Sequence, residues 1–236
     1  MSAEAPQILD NLSRVRDLMA RACRRSGRDP GDVTLVAVTK AARLEWIRVL
    51  LDAGVRTLGE SRPQQLLDRA AQLDSAVDWH LIGPLQRNKV RPVLRVARLI
   101  HSVDSLRLLE RIETVAREID TRARVLLEVN VSGEVSKHGL APDAVRELRG
   151  IDRQFPHVEV CGLMTMAPAV SDPEEARPVF RGLRELRDSL RERGAWGSTL
   201  TELSMGMSGD FEVAIEEGAS LVRIGSALFE GLTAAD

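Results

Sequence analysis

The feature of this sequence that most restricts its fold is an alternation of short apolar runs with longer stretches patterned for helix. The apolar runs occupy residues 33–38, 55–58, 79–82, 99–103, 125–129, 158–163, a weaker 200–203, and 220–224. Between them lie helical patterns such as 44–51, 64–73, 106–119, 144–151 and 174–193, mostly charged on one face. Strands separated by helices are parallel, because a parallel pair needs a long crossover. Eight such units in 236 residues predict an α/β protein, a single (β/α)8 TIM barrel. Ahead of the first strand, Ile8, Leu12, Val15, Leu18, Met19 and Ala22 form one stripe that ends near Gly27, so residues 1–30 are expected to add a helix to the barrel. No linker or low-complexity tract divides the chain, and residues 1–236 are expected to form one domain. A doubly wound open sheet is the alternative arrangement.

Composition narrows the function classes. Hydrophobic residues make up 44% and charged residues 29%, which excludes disordered and fibrous chains. No apolar run approaches the ~20 residues of a membrane span. The start, MSAEAPQILDNLSRV, lacks the apolar core of a signal peptide, and a cytoplasmic location is expected. The net charge of -2 gives no overall pull toward nucleic acid or anionic lipid. Basic clusters at Arg21, Arg24, Arg25 and Arg28 and across 87–98 lack interleaved aromatics, which are only 3% of the chain, so solvated helix faces account for them better than base stacking. Cys23 and Cys161 stand alone, without metal-ligand or disulfide spacing, and read as buried small apolar residues.

In a barrel of this kind the reactive groups sit where strands end. Lys40 follows the apolar run of LVAVTK, so its amine is expected to emerge from apolar surroundings, where it could condense with a carbonyl; a strand-capping lysine reaching water is the alternative. LSMGMSGD and LVRIGSALFEG place Ser204, Gly206, Ser208, Gly225 and Ser226 in two small-residue turns. A helix starting at Ser208 or Ser226 would aim its positive end at an anion there, or the serines are ordinary caps. Arg223, between Val222 and Ile224, is expected to point into the barrel mouth, toward a cofactor ring nitrogen or into an ion pair with Glu60, Glu128 or Asp210. Other strand ends offer His80, Ser102, Asp104, Asn130 and Met164. His80 and His101 read as core or rim histidines, and no metal-ligand spacing is present. Residues 132–139 read as a mobile loop over the mouth.

Taken in order, TK, GES, WHLIGPLQRNK, SVDS, EVNVSGEVSKHG, GLMTM, LSMGMSGD and VRIGSALFEG resemble the pyridoxal phosphate homeostasis protein family, also called proline synthetase co-transcribed homologues, which is similar to the barrel domain of alanine racemase. The likeness covers residues 34–231. It implies a barrel that binds pyridoxal 5′-phosphate (PLP) as a Schiff base on Lys40. It also implies that Ser204, Met205 and Gly206, with Gly225 and Ser226, hold the phosphate while Arg223 faces the pyridine nitrogen. Ser61, His80, Asn130 and Met164 are further pocket candidates. One departure is visible: Gly59-Glu60-Ser61 stands where the family usually reads Gly-Glu-Asn, and Ser61 brings only a short hydroxyl.

The resemblance implies a non-enzymatic carrier or regulator of PLP, a monomer in which the cofactor is cargo and PLP-dependent apoenzymes are the recipients. The alternative is a PLP-dependent amino-acid racemase or Schiff-base lyase. Alanine racemase takes its second base from a tyrosine, and this chain contains none.

Overall fold

The expected strands form and close on themselves. The structure of the protein, a computed structural model, describes residues 3–73, 76–134, 137–148, 150–193 and 200–232. Its strands are β1 (Thr34–Val38), β2 (Thr57–Glu60), β3 (Asp78–Leu81), β4 (Leu99–Val103), β5 (Ala123–Glu128), β6 (Val158–Met164), β7 (Glu202–Ser204) and β8 (Leu221–Ile224). Each pairs in parallel with the next, and β8 pairs with β1 to close the barrel. The α/β class and the TIM barrel are therefore present, and the open sheet is excluded.

The helices follow from local sequence. The added helix α1 (Ala5–Arg25) has proline in its first turn and buries Ile8, Leu12, Val15, Met19 and Ala22 against its neighbours. Buried Asn11 fastens it to the end of the chain, donating through Nδ2 to the carbonyls of Leu228 (3.2 Å) and Glu230 (3.0 Å). Outside the barrel run α2 (Leu44–Asp52), α3 (Pro63–Ala70), α4 (Val90–Leu94) and α5 (Leu106–Glu118), the last capped by Ser105. After β5 the expected helix over 144–151 is two short pieces, α6 (Pro142–Glu147) and α7 (Ile151–Gln154), because Gly150 takes a left-handed φ of 60° between them. The chain continues with α8 (Arg177–Glu192) and α9 (Phe211–Glu216). No helix starts at Ser208 or Ser226: α9 begins after Asp210, and Ser226–Leu228 is a single 3-10 turn. Among the described residues no helix is long and apolar enough to cross a membrane.

Alternation along the strands divides the apolar residues into two bodies. Leu58, Leu81, Leu127 and Leu163 face outward and pack with Trp46, Ile47, Leu50, Ile112 and Phe180 in the layer under the helices. Inside the barrel a smaller cluster of Val36, Leu99, Leu126, Cys161, Met164 and Leu221 packs with Ile82. Both cysteines are buried and free, as their isolation in the sequence suggests.

The β5–β6 register shifts between Val125 and Leu126, bringing Leu126 opposite Gly162. A Cβ at Gly162 would lie 1.9 Å from the carbonyl oxygen of Glu202 on β7, so only glycine permits this approach. Gly162→Ala is expected to cost at least about 1–3 kcal/mol, as overpacking does, and to lower the urea midpoint without changing the slope.

Candidate functional site

At the carboxyl end of the barrel lies a cavity of about 530 Å³. Seven of the eight strand ends, all but that of β4, contribute a short piece: Val38 on and Lys40 after β1, Ser61 after β2, Ile82, Gly83 and Pro84 after β3, Glu128 on β5, Met166 after β6, Met207, Ser208 and Gly209 after β7, and Arg223, Gly225 and Ser226 at β8. His138 reaches it from the loop after β5.

Lys40 sits on the turn after β1 with its side chain exposed. This corrects the expectation of an amine emerging from apolar surroundings, since the strand ends two residues earlier and the turn carries the lysine to the rim. The turn itself is firmly held. Arg69 of α3, buried, donates to the carbonyls of Thr39 and Ala42 (2.7 Å to the latter) and to the Glu60 carboxylate. Thr39 Oγ1 donates to the same Glu60 oxygen at 2.5 Å, and Gln65 Nε2 donates to the Lys40 carbonyl at 2.9 Å. An exposed amine thus stands on a firmly bonded turn. Arg69→Met would leave Glu60 buried without its cation, an expected loss of about 3–5 kcal/mol in urea unfolding. Adding Glu60→Gln is expected to recover most of it.

Arg223 is buried, and no carboxylate lies within ion-pair distance of it among the described residues. The expected ion pair with Glu60, Glu128 or Asp210 is not formed. Glu60 is committed to Arg69, while Asp210 accepts the Met207 N–H at 2.5 Å. Instead Arg223 donates to Ser204 Oγ (2.6 Å) and to the Thr165 carbonyl (3.0 Å). Burial lowers its pKa to about 10, against the opposing fields of Asp210 and Glu128. It remains a cation at neutral pH.

The two small-residue turns meet at the cavity. Gly206 has a φ of 88°, and a Cβ there would come within 2.5 Å of the Ala214 Cβ, so glycine is needed to turn the chain out of β7. Beyond it Ser208 Oγ accepts the N–H groups of Gly225 (3.3 Å) and Ala227 (3.2 Å), tying the turns together. Among the described residues, the N–H groups of Ser208, Gly209 and Ser226 have no acceptor within the fold. Free backbone N–H groups beside small side chains suit an anion. Met166 and Met207, 37% and 40% exposed, provide adaptable apolar walls at the mouth. Glu128 is a buried carboxyl on the cavity wall. Burial pushes its pKa up and Asp104 adds to this, while His138 and Arg223 act against it.

Of the residues singled out in the sequence, Lys40, Ser61, Glu128, Ser208, Arg223, Gly225 and Ser226 line the cavity. Ser204, Met205 and Gly206 lie buried behind it, and Met164 belongs to the apolar interior. Asn130 shapes the following loop, accepting from Ser132 Oγ (3.2 Å) and Gly133 N–H (3.0 Å) and donating to the Glu134 carbonyl (2.8 Å). In the loop expected to be mobile over 132–139, residues 135 and 136 lie outside the described residues.

His80 and His101 are both buried in the barrel interior, with Nε2 of His101 2.9 Å from Nδ1 of His80. Burial, then Arg124 and Arg98, lowers the pKa of His80 to about 4; burial, then His80 and Arg223, holds that of His101 well below the ordinary range. The unfolded chain therefore binds a proton that the fold refuses. As pH falls from about 6.5 toward 4, each histidine should remove about 1.4 kcal/mol of stability per pH unit. In urea unfolding at pH 7, 6 and 5, His80→Gln should show a pH slope shallower by one proton than the parent.

Residues 10–232 match the family model for the alanine racemase N-terminal domain. The barrel and its cavity thus fall in that class of proteins. The pyridoxal phosphate homeostasis protein of Aquifex aeolicus (strain VF5) is 43% identical over 221 residues, 93% of this chain and 96% of the relative. That of Pseudomonas aeruginosa PAO1 is 39% identical over 223 residues, 94% of each. The structure of PipY from Synechococcus elongatus PCC7942 with PLP bound superposes with a TM-score of 0.76 at 33% identity, covering 90% of this chain and 99% of PipY. This chain belongs to the pyridoxal phosphate homeostasis protein family.

Proposed function

We propose that the cavity binds PLP on Lys40 and that the chain holds and releases it, as a carrier or regulator of PLP homeostasis in the cytoplasm rather than as an enzyme. The observation that carries this reading is the convergence of an accessible amine, a buried guanidinium and three free backbone N–H groups around one cavity of about 530 Å³. These groups fit an aldehyde, a pyridine nitrogen and a phosphate. The names of the relatives and the PLP-bound PipY structure support it.

When bound, the cofactor supplies an aldehyde that joins amines reversibly and a ring that can draw electrons from an attached amino acid. The residues of this chain favour the first property. Lys40 at the exposed rim keeps the linkage open to water, which permits release. Arg223 only donates hydrogen bonds, so it favours an unprotonated ring nitrogen, the weaker electron acceptor. Ser208, Gly209 and Ser226 offer N–H groups to the phosphate, with Gly225 leaving room beside them. Ser204, Met205 and Gly206 support these turns from within the barrel. Ser61 offers the cavity a hydroxyl where the family resemblance implies an amide. A single chain delivering to PLP-dependent apoenzymes is the working arrangement of this reading.

Borohydride reduction of the protein incubated with PLP, followed by peptide mapping, is expected to label Lys40, with the visible absorption lost in Lys40→Ala. A colourless, unlabelled protein would contradict the reading. Ser208→Ala removes the acceptor for the Gly225 and Ala227 N–H groups and is expected to weaken PLP retention about tenfold in equilibrium dialysis, the equivalent of one lost hydrogen bond.

One observation favours a second reading, a racemase or lyase: Glu128 is a cavity-wall carboxyl whose raised pKa suits a proton-transfer group. Incubation with a panel of L-amino acids separates the readings. The carrier predicts no turnover above the Lys40→Ala control, whereas substantial Lys40-dependent turnover supports the enzyme.

A further inference from the structure

The polar contacts behind Arg223 continue through the barrel interior as a single chain. Arg223 Nη1 lies 2.6 Å from Ser204 Oγ, Ser204 Oγ lies 2.8 Å from His101 Nδ1, and His101 Nε2 lies 2.9 Å from His80 Nδ1. The four residues come from β8, β7, β4 and β3, so the chain crosses the interior rather than following one strand. At its far end, His80 is level with Leu99, the first residue of β4, and feels the charges of Arg98 and Arg124 near the amino ends of β4 and β5.

Hydrogen-bond chemistry gives this chain one direction. A guanidinium cannot accept, so Ser204 Oγ accepts from Arg223. Ser204 Oγ has a second lone pair that could accept from His101, but its own proton would then be buried unpaired, since among the described residues its only acceptor is His101 Nδ1; Ser204 therefore donates to His101. An imidazole that accepts at Nδ1 and is neutral carries its proton on Nε2, from which His101 donates to His80 Nδ1. His80 is left protonated on Nε2 as well. Among the described residues the charges that bear on the two rings are positive, Arg124 and Arg98 on His80 and Arg223 on His101, and they add to burial in keeping both rings uncharged. Both rings therefore keep one donor and one acceptor, and the chain stays ordered.

We infer that His101 and His80 are positioning residues for Arg223: the directed chain Arg223–Ser204–His101–His80 fixes the guanidinium so that its remaining N–H groups meet the cavity it lines. The inference rests on the proposed PLP reading only for its consequence, which is that the chain sets the contact between Arg223 and the pyridine ring. The chain itself is a property of the protein without cofactor. A serine and two neutral histidines suit this task because each can accept and donate at once and none brings a counter-charge that would draw the guanidinium away from the cavity.

Two measurements test it, the first without cofactor. Nitrogen-15 NMR of the histidine rings at pH 7 is expected to show His101 and His80 both neutral with the proton on Nε2; a proton on Nδ1 of either ring overturns the directed chain. In the same spectra the Arg223 side-chain N–H signals should exchange slowly with water. They should exchange at least tenfold faster in His101→Leu and return toward the parent value in His101→Asn, whose side-chain oxygen can accept from Ser204. If His101→Leu does not fold, Ser204→Ala breaks the same chain and carries the same expectation. Exchange unchanged in folded variants overturns the positioning role. With PLP added, His101→Leu should shift the visible band and weaken retention about tenfold, with partial rescue in His101→Asn. If the parent protein binds no PLP while the tautomers and exchange rates are as expected, the cavity reading fails and the positioning chain stands.

Discussion

A guanidinium buried in a barrel without a carboxylate beside it is the constraint on which much of this structure depends. Taking such a cation out of water is costly unless every exposed N–H finds an acceptor. Arg223 meets part of this demand with a serine hydroxyl and a backbone carbonyl, and turns its remaining N–H groups to the cavity, while Asp210 and Glu128 help only through their fields. The consequence runs through the barrel. Ser204 must turn inward rather than toward the mouth, His101 must stand opposite it, and the apolar interior is confined to a small cluster about Val36, Leu99, Leu126 and Leu221. Because its fold contacts are neutral, the guanidinium keeps an unspent charge for the cavity.

The opposite wall works on a different principle. Lys40 is exposed, while the turn beneath it is hydrogen-bonded by Arg69, Glu60, Thr39 and Gln65, so the amine is accessible on an anchored turn. An accessible amine facing a buried donor suits capture and release better than sustained electron withdrawal. That contrast, together with the turns that leave backbone N–H groups unused, underlies the proposal of a PLP carrier.

Much of this was legible in the sequence because it depends on local pattern. The alternation of apolar runs and helical stretches required parallel strands, and reading the residues at the strand ends found Lys40, Ser61, Arg223, Gly225 and Ser226 on one cavity. What could not be read was the consequence of local turns and of contacts between strands. Ser204 and Ser208 look alike in LSMGMSGD, and the left-handed turn at Gly206 separates the buried one from the cavity-facing one. Gly150 split a continuous helical pattern in the same way. Met166 and Met207 carry no local signature, because their place depends on which strand ends meet. The choice between the two roles open to Arg223 also depends on distant contacts, since Glu60 is engaged by Arg69 and Asp210 by the backbone. The histidines read as ordinary core residues, and only the three-dimensional register showed that they stand behind the guanidinium.

The most direct test of the central claim is a crystal structure of this chain after PLP has diffused into it. Density is expected to be continuous with Lys40, with the phosphate against the N–H groups of Ser208, Gly209 and Ser226 and the ring nitrogen toward Arg223. PLP seated on another surface, or a cavity left empty at saturating PLP, would contradict the claim.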